Sequence, residues 1–256
     1  MRVALCSVLS SAVLLSAALP AAAQERSFNF SLRGGIAGVP AYPGSDELEA
    51  APDLGFRFGA LQWGGQSYGT PIGEVAPNGV SFSGAFRFIG ERDDKDHPEL
   101  AGLEDIDPAV ELGFGVTYRQ TNWLAFGEVR KGFGGHEGVT GTLGADLIFR
   151  PSDRFTVTAG PRINFGNSEY AGTYFGVSAA EAAASSFSAF DADGGVLGAG
   201  VEVRGIYELD DRWAVEGAVS YEKLQNSAAD SPITRAGSDD QWRISIGLRR
   251  SFTLNF

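Results

Sequence analysis

Thiols are almost missing from this 256-residue chain, whose single cysteine is Cys6. One cysteine excludes a disulfide framework and a Cys-rich zinc site, since each needs several thiols. Histidine is nearly as scarce: only His97 and His136 are available to act as a general base near neutral pH. Basic residues are few as well, 20 Lys+Arg against 32 Asp+Glu, for a net charge of −12. A nucleic-acid binder needs a basic face to neutralise phosphate, so no nucleic-acid partner is expected. Beyond the N-terminal segment no stretch approaches the ~18 apolar residues of a membrane helix. What the chain has in excess is glycine, 35 residues, beside 18 Phe, 7 Tyr and 4 Trp. Glycine at roughly twice the average usage of about 7%, with so many aromatics, points to β-structure with close backbone approach.

The first segment reads as an address. Met1 and Arg2 form a positive start, Val3 to Leu19 is apolar, and Ala21-Ala22-Ala23 supplies a small-residue cleavage pattern before Gln24. These features predict a secretory signal peptide over 1–23 and one mature domain over 24–256. An N-terminal membrane anchor is the alternative, disfavoured because Pro20 ends the apolar run.

The segment Val110–Tyr118 sets the fold class. Val110, Leu112, Phe114, Val116 and Tyr118 alternate with Glu111, Gly113, Gly115 and Thr117, the period of a strand with one apolar and one polar face. The pattern returns at Val139–Phe149, Phe155–Ile163, Leu197–Tyr207 and Trp213–Tyr221, and strands also start near Phe28, Leu54, Val80, Trp123 and Trp242. A soluble β-sandwich alternates too. Here, however, runs of about ten residues match tilted membrane strands. Short turns near 120, 152 and 210 alternate with long connections at 40–50, 90–107, 166–193 and 225–240, the build of an outer-membrane barrel. The expected fold is all-β: a transmembrane antiparallel up-and-down β-barrel of twelve strands, with ten as the alternative. The difference turns on whether 61–78 forms two extra strands or a tucked-in loop. Aromatics bracket each short turn (Tyr118 and Trp123, Phe149 and Phe155, Tyr207 and Trp213), as a periplasmic aromatic girdle would. Phe252, Leu254 and Phe256 alternate to the chain end like a barrel-assembly signal, while Arg250 falls on the same apolar face and is expected at the periplasmic rim.

The polar face carries Arg33, Arg57, Arg87, Glu111, Glu128, Arg130, Asp146, Arg162, Glu202, Arg204, Glu216, Glu222 and Arg243. These charges form either a conduit or, in a narrow barrel, pairs that fill the lumen, and the mixed signs favour the plug. His97 and His136 read as solvated loop residues; without a Gly-x-Ser-x-Gly elbow or a placed partner, no catalytic site is expected. The eight acidic residues of 90–107 fit no EF-hand spacing, so neither metal nor cofactor is expected. Ser178-Ala179-Ala180-Glu181 is a capping-box pattern that predicts a short helix in the longest loop.

Four stretches resemble the MipA/OmpV family of outer-membrane proteins. They are Tyr42-Pro43-Gly44-Ser45-Asp46, Gly102-Leu103-Glu104-Asp105-Ile106-Asp107, Thr173-Tyr174-Phe175-Gly176-Val177-Ser178 and Ala228-Ala229-Asp230-Ser231-Pro232-Ile233. The resemblance spans the mature chain and implies a cell outer membrane location, with lipid, lipopolysaccharide and the barrel-assembly machinery as partners. It also implies a non-enzymatic scaffold bringing a murein transglycosylase to a murein synthase; a porin-like small-solute channel or a surface adhesin are the other roles discussed for such proteins. The chain departs from the family's usual aromatic-x-Phe terminus at Arg250-Ser251-Phe252 and the four residues after it.

Overall fold

Period-two alternation becomes eleven antiparallel strands in the computed structural model, which describes residues 26–256. The expected signal peptide, 1–23, lies outside the described residues. The strands are β1 (Ser27–Pro40), β2 (Leu48–Trp63), β3 (Gln66–Gly69), β4 (Gly79–Ile89), β5 (Ala109–Arg119), β6 (Trp123–Gly134), β7 (Val139–Ser152), β8 (Phe155–Gly166), β9 (Gly195–Glu208), β10 (Trp213–Leu224) and β11 (Asp240–Asn255). Each long strand pairs with its neighbour in sequence, and β1 closes on β11 from Ser27↔Asn255 to Gly38↔Ile244. The sheet order is β3-β2-β1-β11-β10-β9-β8-β7-β6-β5-β4. The wall is therefore a nearly closed barrel whose only missing ladder, among the described residues, lies between β2–β3 and β4.

That seam corrects the strand count of both expectations. The short ascending strand expected near 61–69 forms as β3, entered through Gly64-Gly65, whose φ values of 61° and 78° suit a two-residue hairpin turn. A descending strand in 70–78 does not form. Pro71 and Pro77 each remove a ladder donor. Instead the Ile72 N–H donates to Asn29 Oδ1 at 2.7 Å, which draws the segment inward toward the lumen side of β1. Ten long strands and one four-residue strand result.

The apolar face looks outward. Phe82 is 78% exposed and Phe114 66%, whereas Glu111 on the opposite face of β5 is 0% exposed. An apolar exterior around a charged interior is stable only where lipid, not water, bathes the wall. The two clusters of buried apolar side chains lie elsewhere, in the long connections at one end of the barrel. One joins Ile106, Tyr170, Tyr174, Phe175, Leu197 and Leu224; the other joins Tyr42, Leu100, Leu103, Val177, Phe187 and Ile233. The start of β1, the end of β11 and the short turns lie at the opposite, periplasmic end. The connections contribute α1 (Ser168–Phe175), α2 (Ala179–Ala184), α3 (Asn226–Asp230) and α4 (Pro232–Ala236). The capping box forms: Ser178 Oγ accepts from Glu181 N at 3.2 Å, and Glu181 accepts from Ser178 N at 2.7 Å.

Candidate functional site: an occluded lumen

Three charge networks line the interior, each joining strands that are neighbours or next neighbours in the sheet. In the outer half, Glu111 of β5 accepts from Arg87 of β4 at 2.6 Å, from Arg130 of β6 at 3.0 Å and from the Thr140 hydroxyl of β7 at 3.0 Å. Arg130 also donates to Glu128 at 2.7 Å and to Thr142 at 2.9 Å. Midway, Arg162 of β8 forks onto Asp146 at 2.8 and 3.1 Å, reaches Glu202 at 3.3 Å and stands over the Phe126 ring at 4.9 Å. Glu202 holds Arg204 at 3.2 Å. On the third side Arg33 pairs with Asp53 and lies 3.4 Å from Glu216, Arg243 reaches Asp53 at 3.2 Å, and Arg249 holds Glu216 at 3.0 Å and also binds Glu208. The geometry thus brings eleven of the thirteen sequence-chosen charges into these pairs; Arg57 and Glu222 face the interior outside them. Asp53, Glu208 and Arg249 were not among those chosen. Asp53 was legible by parity, two residues before Gly55 on the face opposite Leu54 and Phe56, once β2 is known to begin at Leu48.

The mouth is closed by the cap built from the long connections. α1 lies over the Glu111 network, and Arg87 stands 5.6 Å from the Tyr170 ring centre. Asn167 caps the helix by accepting from Tyr170 N at 3.1 Å. At its other end two carbonyls left free by the helix are satisfied from distant loops: Arg92 donates to Tyr174 O at 3.1 Å and Ser231 to Phe175 O at 2.7 Å. All four stretches that carry the family resemblance meet in this cap, through Tyr42, Leu103, Ile106, Tyr174, Phe175, Val177, Ala228 and Ile233.

Neither histidine is solvated, which corrects the sequence reading. His136 is 3% exposed, wedged edge-on between Tyr170 and Tyr174, with Nδ1 accepting from Gly138 N at 3.1 Å and Nε2 3.3 Å from Glu111. Burial pulls its pKa down, partly offset by the nearby Glu111 carboxylate. His97 is 4% exposed, edge-on to Tyr42 and 3.8 Å from both Glu49 and Glu99. Burial and Glu99 push the Tyr42 hydroxyl up to about 12. No group of three potential metal ligands is assembled among the described residues.

On the outer face, Tyr118 and Trp123 touch with ring centres 5.6 Å apart, and Phe155 touches Tyr207 at 6.3 Å. Phe149 is exposed and Trp213 half-buried beneath Arg250, whose guanidinium lies 5.0 Å from the rings of both Trp213 and Phe252. Arg250 therefore sits at the short-turn end on aromatic faces. β11 continues past it to Asn255, with Phe252 stacked on Phe30 at 5.3 Å, Leu254 exposed, and Phe256 N bonded to Arg26 O. If these rings mark the periplasmic interface, Trp213→Asp will slow folding into lipid vesicles far more than Ser83→Asp on the lumen face. Equal rates would refute the girdle. Thr140→Asp would not serve as the lumen control, because it would place a second carboxylate against Glu111.

A family model described as MltA-interacting protein MipA matches residues 32–252. No curated protein sequence matches the chain closely enough to count as a relative. Among solved structures, the chain is similar to the outer membrane protein OprG from Pseudomonas aeruginosa, at 14% identity and TM-score 0.31, covering 89% of this chain and 97% of that one. An outer membrane channel from Pseudomonas putida F1 gives 9% identity and TM-score 0.44 over 89% and 96% of the two chains. OmpT of Vibrio cholerae gives 10% identity and TM-score 0.34 over 90% and 98%.

Proposed function

The chain belongs to the MipA family, and we propose that this outer-membrane barrel is a non-conducting, non-enzymatic scaffold that presents its periplasmic rim to a murein transglycosylase and, beside it, a murein synthase. The observation that carries the reading is the obstructed lumen: ion pairs between neighbouring strands crowd its wall below, and the cap with α1 covers it above. A barrel filled in this way is poorly suited to passing solutes, so its exposed surfaces are left to do its work. A hydrolytic role is disfavoured because both histidines are enclosed and neither offers a solvent-facing nitrogen to a substrate. The family's founding name points to a lytic murein enzyme as partner.

The rim offers such a partner charge rather than backbone. Arg150, Asp153, Arg154, Asp210, Asp211 and Arg212 are exposed on two turns. Asp210 accepts from Arg212 N at 2.8 Å and Trp213 N at 2.9 Å, bonds that hold its carboxyl below the usual range and the turn in one shape. Rim charges act mainly on encounter rate and salt dependence. The double variant Arg154→Glu/Arg212→Glu is therefore expected to weaken salt-dependent capture of a purified murein transglycosylase while the barrel stays folded. Steady single-channel steps from wild-type barrel in planar bilayers, without any such capture, would overturn the scaffold in favour of a pore.

A further inference from the structure

Below the Glu111 network the lumen is not completely filled. A cavity of about 150 Å³ remains in its periplasmic half, and its wall carries Arg33, Arg57, Arg204 and Arg249 against one carboxylate, Glu216. Three of these arginines have acidic partners: Arg33 has Asp53 and Glu216, Arg204 has Glu202, and Arg249 has Glu216 and Glu208. Arg57 has no carboxylate within 4.0 Å among the described residues. A guanidinium always carries its charge, and Arg57, exposed to the lumen, presents that charge without a paired carboxylate. The cavity therefore has room, donors and one uncompensated positive charge.

We propose that this cavity is an oxyanion site that takes a phosphate group, with Arg57 as the anchoring cation. Guanidinium forks match the oxygens of a phosphate in pairs of parallel N–H donors. The remaining arginines supply further donors while their own carboxylates keep the site's excess charge small, which suits a singly charged phosphate ester as well as the free ion. The place of the cavity in the wall allows both. Phe56 points outward and is 60% exposed, yet it lines the same cavity. The cavity thus touches the stretch of β2 that pairs only with β1, beside the β2/β4 seam where no ladder joins the strands and the lumen-side residues Ser81 and Ser83 of β4 are exposed. A phosphate arrives there either free from the periplasmic end of the barrel or as the headgroup of a phospholipid whose acyl chains stay outside against Phe56 and Phe82. This inference does not depend on the scaffold reading.

The test uses the refolded mature barrel in a phosphate-free detergent, with folding verified by heat-modifiable migration. Inorganic phosphate is titrated calorimetrically, and retention of phosphatidylglycerol against a diacyl glycolipid without phosphate is read by native mass spectrometry. Arg57→Gln is expected to weaken whichever probe binds by about tenfold or more, Arg57→Lys less, and Lys131→Gln, on the outer face of β6, not at all. Arg204→Gln is the second lumen variant should Arg57→Gln fail to fold. Response to inorganic phosphate alone identifies a soluble ligand, and retention of phosphatidylglycerol alone identifies a lipid headgroup; either supports the site. Binding of neither probe to wild type, or binding of both unchanged in the lumen variants, overturns it.

Discussion

Glu111→Ala is expected to lower the stability of the folded barrel by about 3 kcal/mol, toward the lower end of what breaking a buried ion pair costs. Glu111 is fully buried and, among the described residues, is the only carboxylate paired with Arg87. It also holds Arg130 and the Thr140 hydroxyl, so its removal strands donors on three neighbouring strands. Arg130 retains Glu128, which is why the loss falls short of the upper end. Glu128→Gln is the control: the Glu128 side chain is about a third exposed to the lumen and Arg130 keeps Glu111, so its cost is expected to stay below about 1 kcal/mol. Urea midpoints of the vesicle-embedded proteins decide the matter, and equal midpoints for the two variants would show that the networks fill the lumen without stabilising it.

The same residue shows why so much of the barrel was legible in advance. In a strand, parity alone assigns a side chain to one face, and in a membrane barrel that face is either lipid or lumen. Glu111 between Val110 and Leu112 therefore had only one place to go. Arg249 and Arg250 follow the same rule: adjacent residues of like charge face opposite ways, one to Glu216 and the other to Trp213, as the alternation through Leu248, Phe252 and Leu254 requires. The twelve-strand expectation placed a descending strand in 70–78, although Pro71 and Pro77 each lack the donor a ladder there would need. The cap was not legible. Its contacts join Arg92 to Tyr174, Ser231 to Phe175 and Gln241 to Gly44, across 82, 56 and 197 residues. Periodicity carries no information about such meetings. Polar loop composition pointed to solvent for His97 and His136, and tertiary packing overrode it.

That division also assigns stability to two separate bodies. The wall is held by ladders and lipid, whereas the cap is held by an apolar core of the kind found in soluble domains. Regions closed by few contacts open at lower free energy than the whole. The cap is therefore able to open while the barrel persists, and the lumen networks below it would remain as the second barrier.

Phe175→Ala is expected to release the cap without unfolding the barrel. Phe175 is almost fully buried at the end of α1, and truncating a buried Phe to Ala costs about 3–5 kcal/mol, enough to outweigh the local stability of a loop-built body. Added protease should then cut within 176–194, where wild type resists, while heat-modifiable migration of the barrel is unchanged. Acid should act in the same direction. Burial lowers the folded pKa of His136 below the ordinary 6.5, so its unfolded form binds the proton more readily. The stability it lends is present above about pH 6.5 and declines as the pH falls below that value. Wild-type cap protection should accordingly weaken on acidification, and His136→Gln should flatten that response. If Phe175→Ala resists protease as wild type does, α1 is held by the Arg92 and Ser231 bonds to its carbonyls and not by its buried face.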